Sequence, residues 1–112
     1  MSAAQESWRR RDAAALAQSL TRDALLLVDA GGRVAVPVRR ATTAGGVASA
    51  LIALTEALSV TAIAEAEVNG TPGLRLLAGD GVVGVVGFEL RGQAISHAWA
   101  VVNPAKLAHW NR

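Results

Sequence analysis

The sequence has 112 residues, a formal net charge of +2, 52% hydrophobic residues and no cysteine. That length suits one domain, residues 1 to 112, around a single core. The missing cysteine excludes disulfide scaffolds and thiolate metal sites or nucleophiles, and two histidines alone leave no basis for a metal site.

Residues 3 to 20 have helical spacing with a break near Asp12, whose carboxylate can accept from N–H groups two or three residues on. Trp8 is the apolar anchor of the first segment, and Ala13, Leu16, Ala17 and Leu20 share a face of the second. Arg9, Arg10 and Arg11 form the one basic run. Without interleaved aromatics the run reads as a solvated helix face, and direct nucleic-acid binding is not expected. The opening MSAAQESWRRRD has no apolar stretch after its charges, so it does not read as a signal peptide. No apolar run later reaches the roughly 20 residues of a membrane span, and a cytoplasmic protein is expected.

ALLLV at 24 to 28 reads as a buried strand, followed by a turn at Asp29-Ala30-Gly31-Gly32. RVAVPVR at 33 to 39 alternates, with Val34, Val36 and Val38 on one face; Pro37 makes it an edge strand. Thr42 or Thr43 caps a helix over 44 to 58. Its stripe of Val47, Ala50, Leu51, Leu54 and Leu58, with a thin polar face, indicates a well-covered element. The period then changes to two. Strands are expected at 60 to 68, 74 to 78, 82 to 90 and 94 to 102, separated by Gly-rich turns, as an antiparallel meander. Gly84 and Gly87 suggest that the sheet curls; Glu65 and Glu67 read as a solvated face. The last strand stops at Asn103-Pro104, and a short cap follows at 105 to 107. The order of elements predicts an α+β fold. Two to three helices pack on a curled, mostly antiparallel sheet of about six strands, shaping a cone with a small apolar cavity.

Three stretches, DAGGRV at 29 to 34, EVNGTPGL at 67 to 74 and NPAKL at 103 to 107, add a resemblance. With the order of elements, they resemble the SnoaL-like cone fold of the nuclear transport factor 2 superfamily, and more specifically the C-terminal extension of extracytoplasmic-function sigma factors. The resemblance implies a regulatory module of transcription that packs against sigma-factor domains and touches RNA polymerase only indirectly. Carried over, its positions are Asp29, Gly31, Gly32 and Arg33 in the turn and Asn103, Pro104, Lys106 and Leu107 in the tail. This chain departs from the family pattern at Ala30, Arg33, Val102 and Ala105, and 112 residues leave no room for the sigma domains themselves. Either a stand-alone relative or an excised domain fits this, and the Met1 start with short polar residues favours the stand-alone chain.

The chemistry-bearing candidates lie on the last strand. His97 and Trp99 alternate on one face with Ile95 and Val101, and in the resembling fold that strand can wall the cavity. His97 with Glu89 is the one acid–base pair available, since the sequence has no tyrosine. Trp99, His97, Leu51 and Leu54 are the expected ligand-contacting residues. No phosphate-loop spacing is present, and no cofactor is expected. The reading is a non-catalytic domain binding a small hydrophobic ligand or a protein partner; the alternative is a small isomerase or cyclase using His97. Strands rich in Ala and Val leave an apolar sheet face, which predicts a homodimer through that face.

Overall fold

Asp12 does break the N-terminal helix. The computed structural model, which describes residues 2 to 111 except Arg33 and Asp80, places α1 at Ser2–Arg9 and α2 at Ala13–Ala17. The Asp12 carboxylate accepts from the Ala15 N–H at 3.0 Å, satisfying a donor that the first turn of α2 leaves free. Arg11, with φ at +59°, turns the chain between the helices. Its guanidinium donates to the carbonyls of Trp8, Arg9 and Val60. Arg9 pairs with Glu6 at 3.0 Å and Arg10 approaches Asp12 at 3.8 Å. The basic run is therefore engaged within the fold.

Strand β1 spans Leu20–Asp29, longer than the apolar run alone suggested, and β2 is only Arg40–Thr42. The edge strand expected at 33 to 39 does not form, and Arg33 itself lies outside the described residues. Pro37 has no N–H for a ladder, and Val34, Val36 and Val38 instead lie half-buried against the core as an irregular segment. Pairing resumes where the Val28 N–H donates to the Arg39 carbonyl at 2.9 Å. Helix α3, Ala44–Ala57, starts at Thr43, whose hydroxyl accepts from the Gly46 N–H at 3.1 Å.

The expected meander follows as β3 Ala62–Val68, β4 Thr71–Ala78, β5 Gly81–Arg91 and β6 Ala94–Val101. Asn69 and Gly70, both at positive φ, make the two-residue turn between β3 and β4, so Pro72 falls inside β4. The sheet is open, with strand order β2-β1-β6-β5-β4-β3, and every pairing is antiparallel except β1 with β6. The last strand is thus central, held between the first strand and the meander.

One face of this sheet carries the helices and the main core. Leu26, Leu74, Leu76, Val86, Phe88, Ala98 and Val102 meet Trp8, Leu16, Val47, Leu51 and Leu54 there. Burial of this set, at about 25 cal/mol per Å² of apolar area, is the main stabilising contribution. On the opposite face a smaller cluster of Val68, Val82, Val85 and Leu107 is joined by Leu77, Val101 and Trp110. Helix α4, Pro104–Leu107, and a 3₁₀ turn, Ala108–Asn111, cross that outer face and cover part of it. This is an α+β architecture, helices on one face of an open six-stranded sheet. No helix among the described residues is long and apolar enough to cross a membrane.

Candidate functional site

The turn after β1 and the tail after β6 meet. The Asp29 backbone carbonyl accepts from the Val102 N–H at 2.8 Å. Its side chain accepts from the Gly31 N–H at 3.1 Å and from the Lys106 ammonium at 2.6 Å. Those bonds, the Lys106 hydrogen bond first among them, hold the Asp29 carboxyl below the usual carboxylate range. Asn103 caps α4 by accepting from the Ala105 N–H at 3.1 Å, and its carboxamide lies directly over Gly31. A Cβ at Gly31 would overlap that carboxamide, and φ there is +65°, so two independent constraints favour glycine. Gly32, at φ +76°, faces open space. Of the turn and tail residues expected to act together, Asp29, Gly31, Asn103 and Lys106 do stand in contact. Pro104 is exposed at the start of α4, Leu107 is buried, and Arg33 lies outside the described residues.

Beside this clasp is an open cavity of about 240 Å³, lined by Val34, Leu58, Val82, Val83, Val102, Pro104, Leu107 and Asn111. Asn111 is the one polar side chain in that lining, and it is committed. Its Oδ1 accepts from the Val82 N–H at 2.7 Å, and its Nδ2 donates to the Val82 carbonyl at 3.0 Å. The remaining wall is aliphatic and offers an apolar guest no ionic partner. Val34 and Leu58 were legible in the sequence only as core positions. Nothing in the pattern signalled Asn111, because its role depends on where the tail lands.

A second groove, about 280 Å³, lies between the Arg9 to Arg11 run and residues 60 to 63. Its cations are the ones already held by Glu6, Asp12 and main-chain carbonyls. Among the described residues no group of three or more histidine or acidic side chains is placed to hold a metal ion.

The residues expected to wall the cavity are placed otherwise. His97, Trp99 and Val101 point to the outer face of the sheet, whereas Ile95 joins the core with Ala98 and Ala100. A bulge causes the difference. Glu89 pairs with His97 and Leu90 with Ile95, so Ser96 is an extra residue and the strict alternation breaks there. His97 and Glu89 are indeed neighbours across β5 and β6, but on that outer face rather than inside the cone. The His97 and Trp99 rings meet edge to face, 5.2 Å apart at 85°. Trp99 lies over Gly87, where a Cβ would meet the indole Nε1 at 3.0 Å. Gly87 therefore makes room for an aromatic ring, beyond any part it has in curling the sheet. Leu51 and Leu54 are fully packed in the main core. The expected ligand set of Trp99, His97, Leu51 and Leu54 is thus split by the sheet and forms no single site.

No protein-family model matches this sequence, and no curated protein matches it either. Similar folds are found among solved structures. The extracytoplasmic function sigma factor SigJ of Mycobacterium tuberculosis aligns over 93% of this chain with a TM-score of 0.67 and 17% identity. The chain spans 41% of that sigma factor's length. An NTF-2 like protein of unknown function from Burkholderia xenovorans LB400 matches 99% of this chain and 89% of its own, at TM-score 0.59 and 12% identity. TerC, co-crystallised with polyporic acid, matches 96% of this chain and 92% of its own, at 0.60 and 11%. At these identities the likeness is one of fold: the chain has the NTF2-like, SnoaL-like architecture.

Proposed function

We propose that this domain is a non-catalytic SnoaL-like module that binds a small hydrophobic ligand in the 240 Å³ cavity and presents its turn and tail to a protein partner of the sigma-factor kind. One observation carries the reading. Pro104 and Leu107, part of the tail stretch resembling sigma-factor extensions, are also walls of the cavity. A guest there touches the same segment that a partner would meet, so occupancy and partner contact are coupled through α4. The sigma-factor neighbour supports the partner class, and TerC, co-crystallised with polyporic acid, supports a small-molecule guest in this architecture.

The ligand half is tested with a hydrophobic fluorophore. Wild type is expected to bind it saturably, and Val83→Trp, which fills the cavity, is expected to lose binding while keeping its melting temperature. Equal binding by both proteins refutes the cavity as the site. The partner half is tested by co-purification with a two-domain sigma core. Capture by wild type and loss of capture in Pro104→Gly is the supporting outcome; absence of any complex refutes it.

A further inference from the structure

The sheet ends at β3, and half of that edge is open. The two-residue turn at Asn69-Gly70 makes Val68 and Thr71 a hydrogen-bonded pair. Such pairs alternate along an antiparallel ladder, so Ala62, Ala64, Ala66 and Val68 bond to β4. The main-chain N–H and C=O groups of Ile63, Glu65 and Glu67 therefore point off the sheet. The N-terminal region closes the first part of this edge. Gln5 Nε2 donates to the Ile63 carbonyl at 2.8 Å, and the Arg11 guanidinium donates to the Val60 carbonyl at 3.2 Å. Among the described residues no other element bonds to the main chain of Glu65 or Glu67. Their side chains stand on the helix-bearing side of the sheet, in register with Leu74 and Pro72. Both are exposed, and neither has an ion pair among the described residues. An open groove of about 500 Å³ follows the same stretch, lined by Glu65, Ala66, Glu67, Gly70, Thr71 and Pro72.

Two donors and two acceptors, set two residues apart and each beside a carboxylate, describe what fits. A second copy of β3 does not. In the antiparallel pairing that the whole meander uses, satisfying these groups on both copies sets glutamate against glutamate. Like charges directly opposite destabilise a ladder. We infer that the open half of β3 is a docking edge for an extended basic segment of another protein, which adds to the sheet as a further strand. Paired antiparallel, one residue of that segment exchanges both main-chain bonds with Glu67, and the residue two along does so with Glu65. Both carry their side chains beside the glutamates, so both are lysine or arginine. The residue between them falls next to Ala66 on the outer face, where the short alanine leaves room for a β-branched side chain. The ligand is thus a basic–apolar–basic stretch in extended form, with affinity from main-chain bonds and specificity from alternate side chains. Glu65, Ala66 and Glu67 belong neither to the lining of the 240 Å³ cavity nor to the clasp of turn and tail, so the inference stands apart from the function proposed above.

Fluorescence anisotropy with the full chain tests it. The probe is a labelled seven-residue peptide, capped at both ends, with lysine at its third and fifth positions, valine between them and threonine elsewhere. Wild type should bind it saturably, and the Glu65 and Glu67 amides should then exchange more slowly with solvent. Methylating the main-chain nitrogens of the two lysines keeps the charge but removes two donors, and should weaken binding about tenfold. The double variant Glu65→Lys with Glu67→Lys, at exposed positions and checked for folding by circular dichroism, should lose the lysine peptide and bind its glutamate counterpart. Absence of binding by wild type overturns the docking edge. Equal binding of the methylated peptide overturns strand addition, since charge alone then suffices. A folded double variant that keeps the lysine peptide, or refuses the glutamate one, overturns the pairing with Glu65 and Glu67.

Discussion

Lys106 and Asp29 sit 77 positions apart in the chain, and the ammonium of one donates to the carboxylate of the other at 2.6 Å. The contact ties the turn after the first long strand to the helix after the last. Both groups are solvent-accessible, so the bond is open to screening by salt.

A dependence on pH follows from it. The folded protein holds the Asp29 carboxyl below its unfolded value, chiefly through the Lys106 hydrogen bond. Asp23 is likewise lowered, by the Thr21 hydroxyl first and then by Arg91. A depressed carboxylate adds stability above the unfolded pKa of about 4 and loses it as pH falls through the folded value. Thermal melts taken from neutral to acid pH should show wild type losing stability on the acid side. Asp29→Asn should begin lower at neutral pH and fall less steeply, and added salt should narrow the gap between the two. Parallel acid limbs in the two proteins would refute the role of the contact.

The paired glycines of the turn offer a comparison. Gly32→Ala meets no neighbour and should cost only the left-handed backbone penalty, about 1–2 kcal/mol. Gly31→Ala carries that same penalty and must also push the Asn103 carboxamide off the start of α4, adding the loss of a cap worth about 1 kcal/mol. Urea unfolding of the two variants should rank Gly31→Ala as the less stable. The reverse order would mean that Asn103 is not held where the structure places it.

Two residues once grouped by sequence should behave oppositely. Leu54→Ala removes a fully buried side chain and should cost about 2–5 kcal/mol. His97→Ala acts on the outer face and should leave fluorophore binding in the cavity unchanged. A His97→Ala variant that lost the fluorophore would return this histidine to the site.

Asn111→Ala removes the clamp on Val82. One hydrogen bond is worth about 1 kcal/mol net, so the fold should survive. The tail should then open more often, read as faster amide exchange at Leu107 and Asn111 and a faster fluorophore on-rate. Unchanged exchange would show that Leu107 burial alone pins the segment.

Much of this architecture was legible before any coordinates. The helix stripe of Val47, Leu51 and Leu54, the Asp12 cap and the four-strand meander rest on local periodicity and on capping chemistry, and they appear where expected. The segment at 33 to 39 alternates too, but its valines satisfy that pattern by packing on the core without a partner strand. Face assignment on the last strand failed at one residue. Ser96 bulges, and every inference carried from Ile95 to His97 and Trp99 changed face. The cavity was out of reach for another reason: its walls come from four separate stretches of chain, and Asn111 earns its place only through the path of the tail.

The parallel pairing of β1 with β6 has a consequence for how the chain is made. As the polypeptide leaves the ribosome, β1 can pair with the short β2, yet its long neighbour β6 is synthesised only after α3 and three further strands. Until then Leu25, Leu26 and Leu27 sit beside an unoccupied hydrogen-bonding edge, open to pairing with another nascent chain. Closure of the sheet waits for a long-range contact, which makes folding slow for a domain of this size. Nascent chains truncated before β6 should therefore depend on chaperones that chains including β6 do not need.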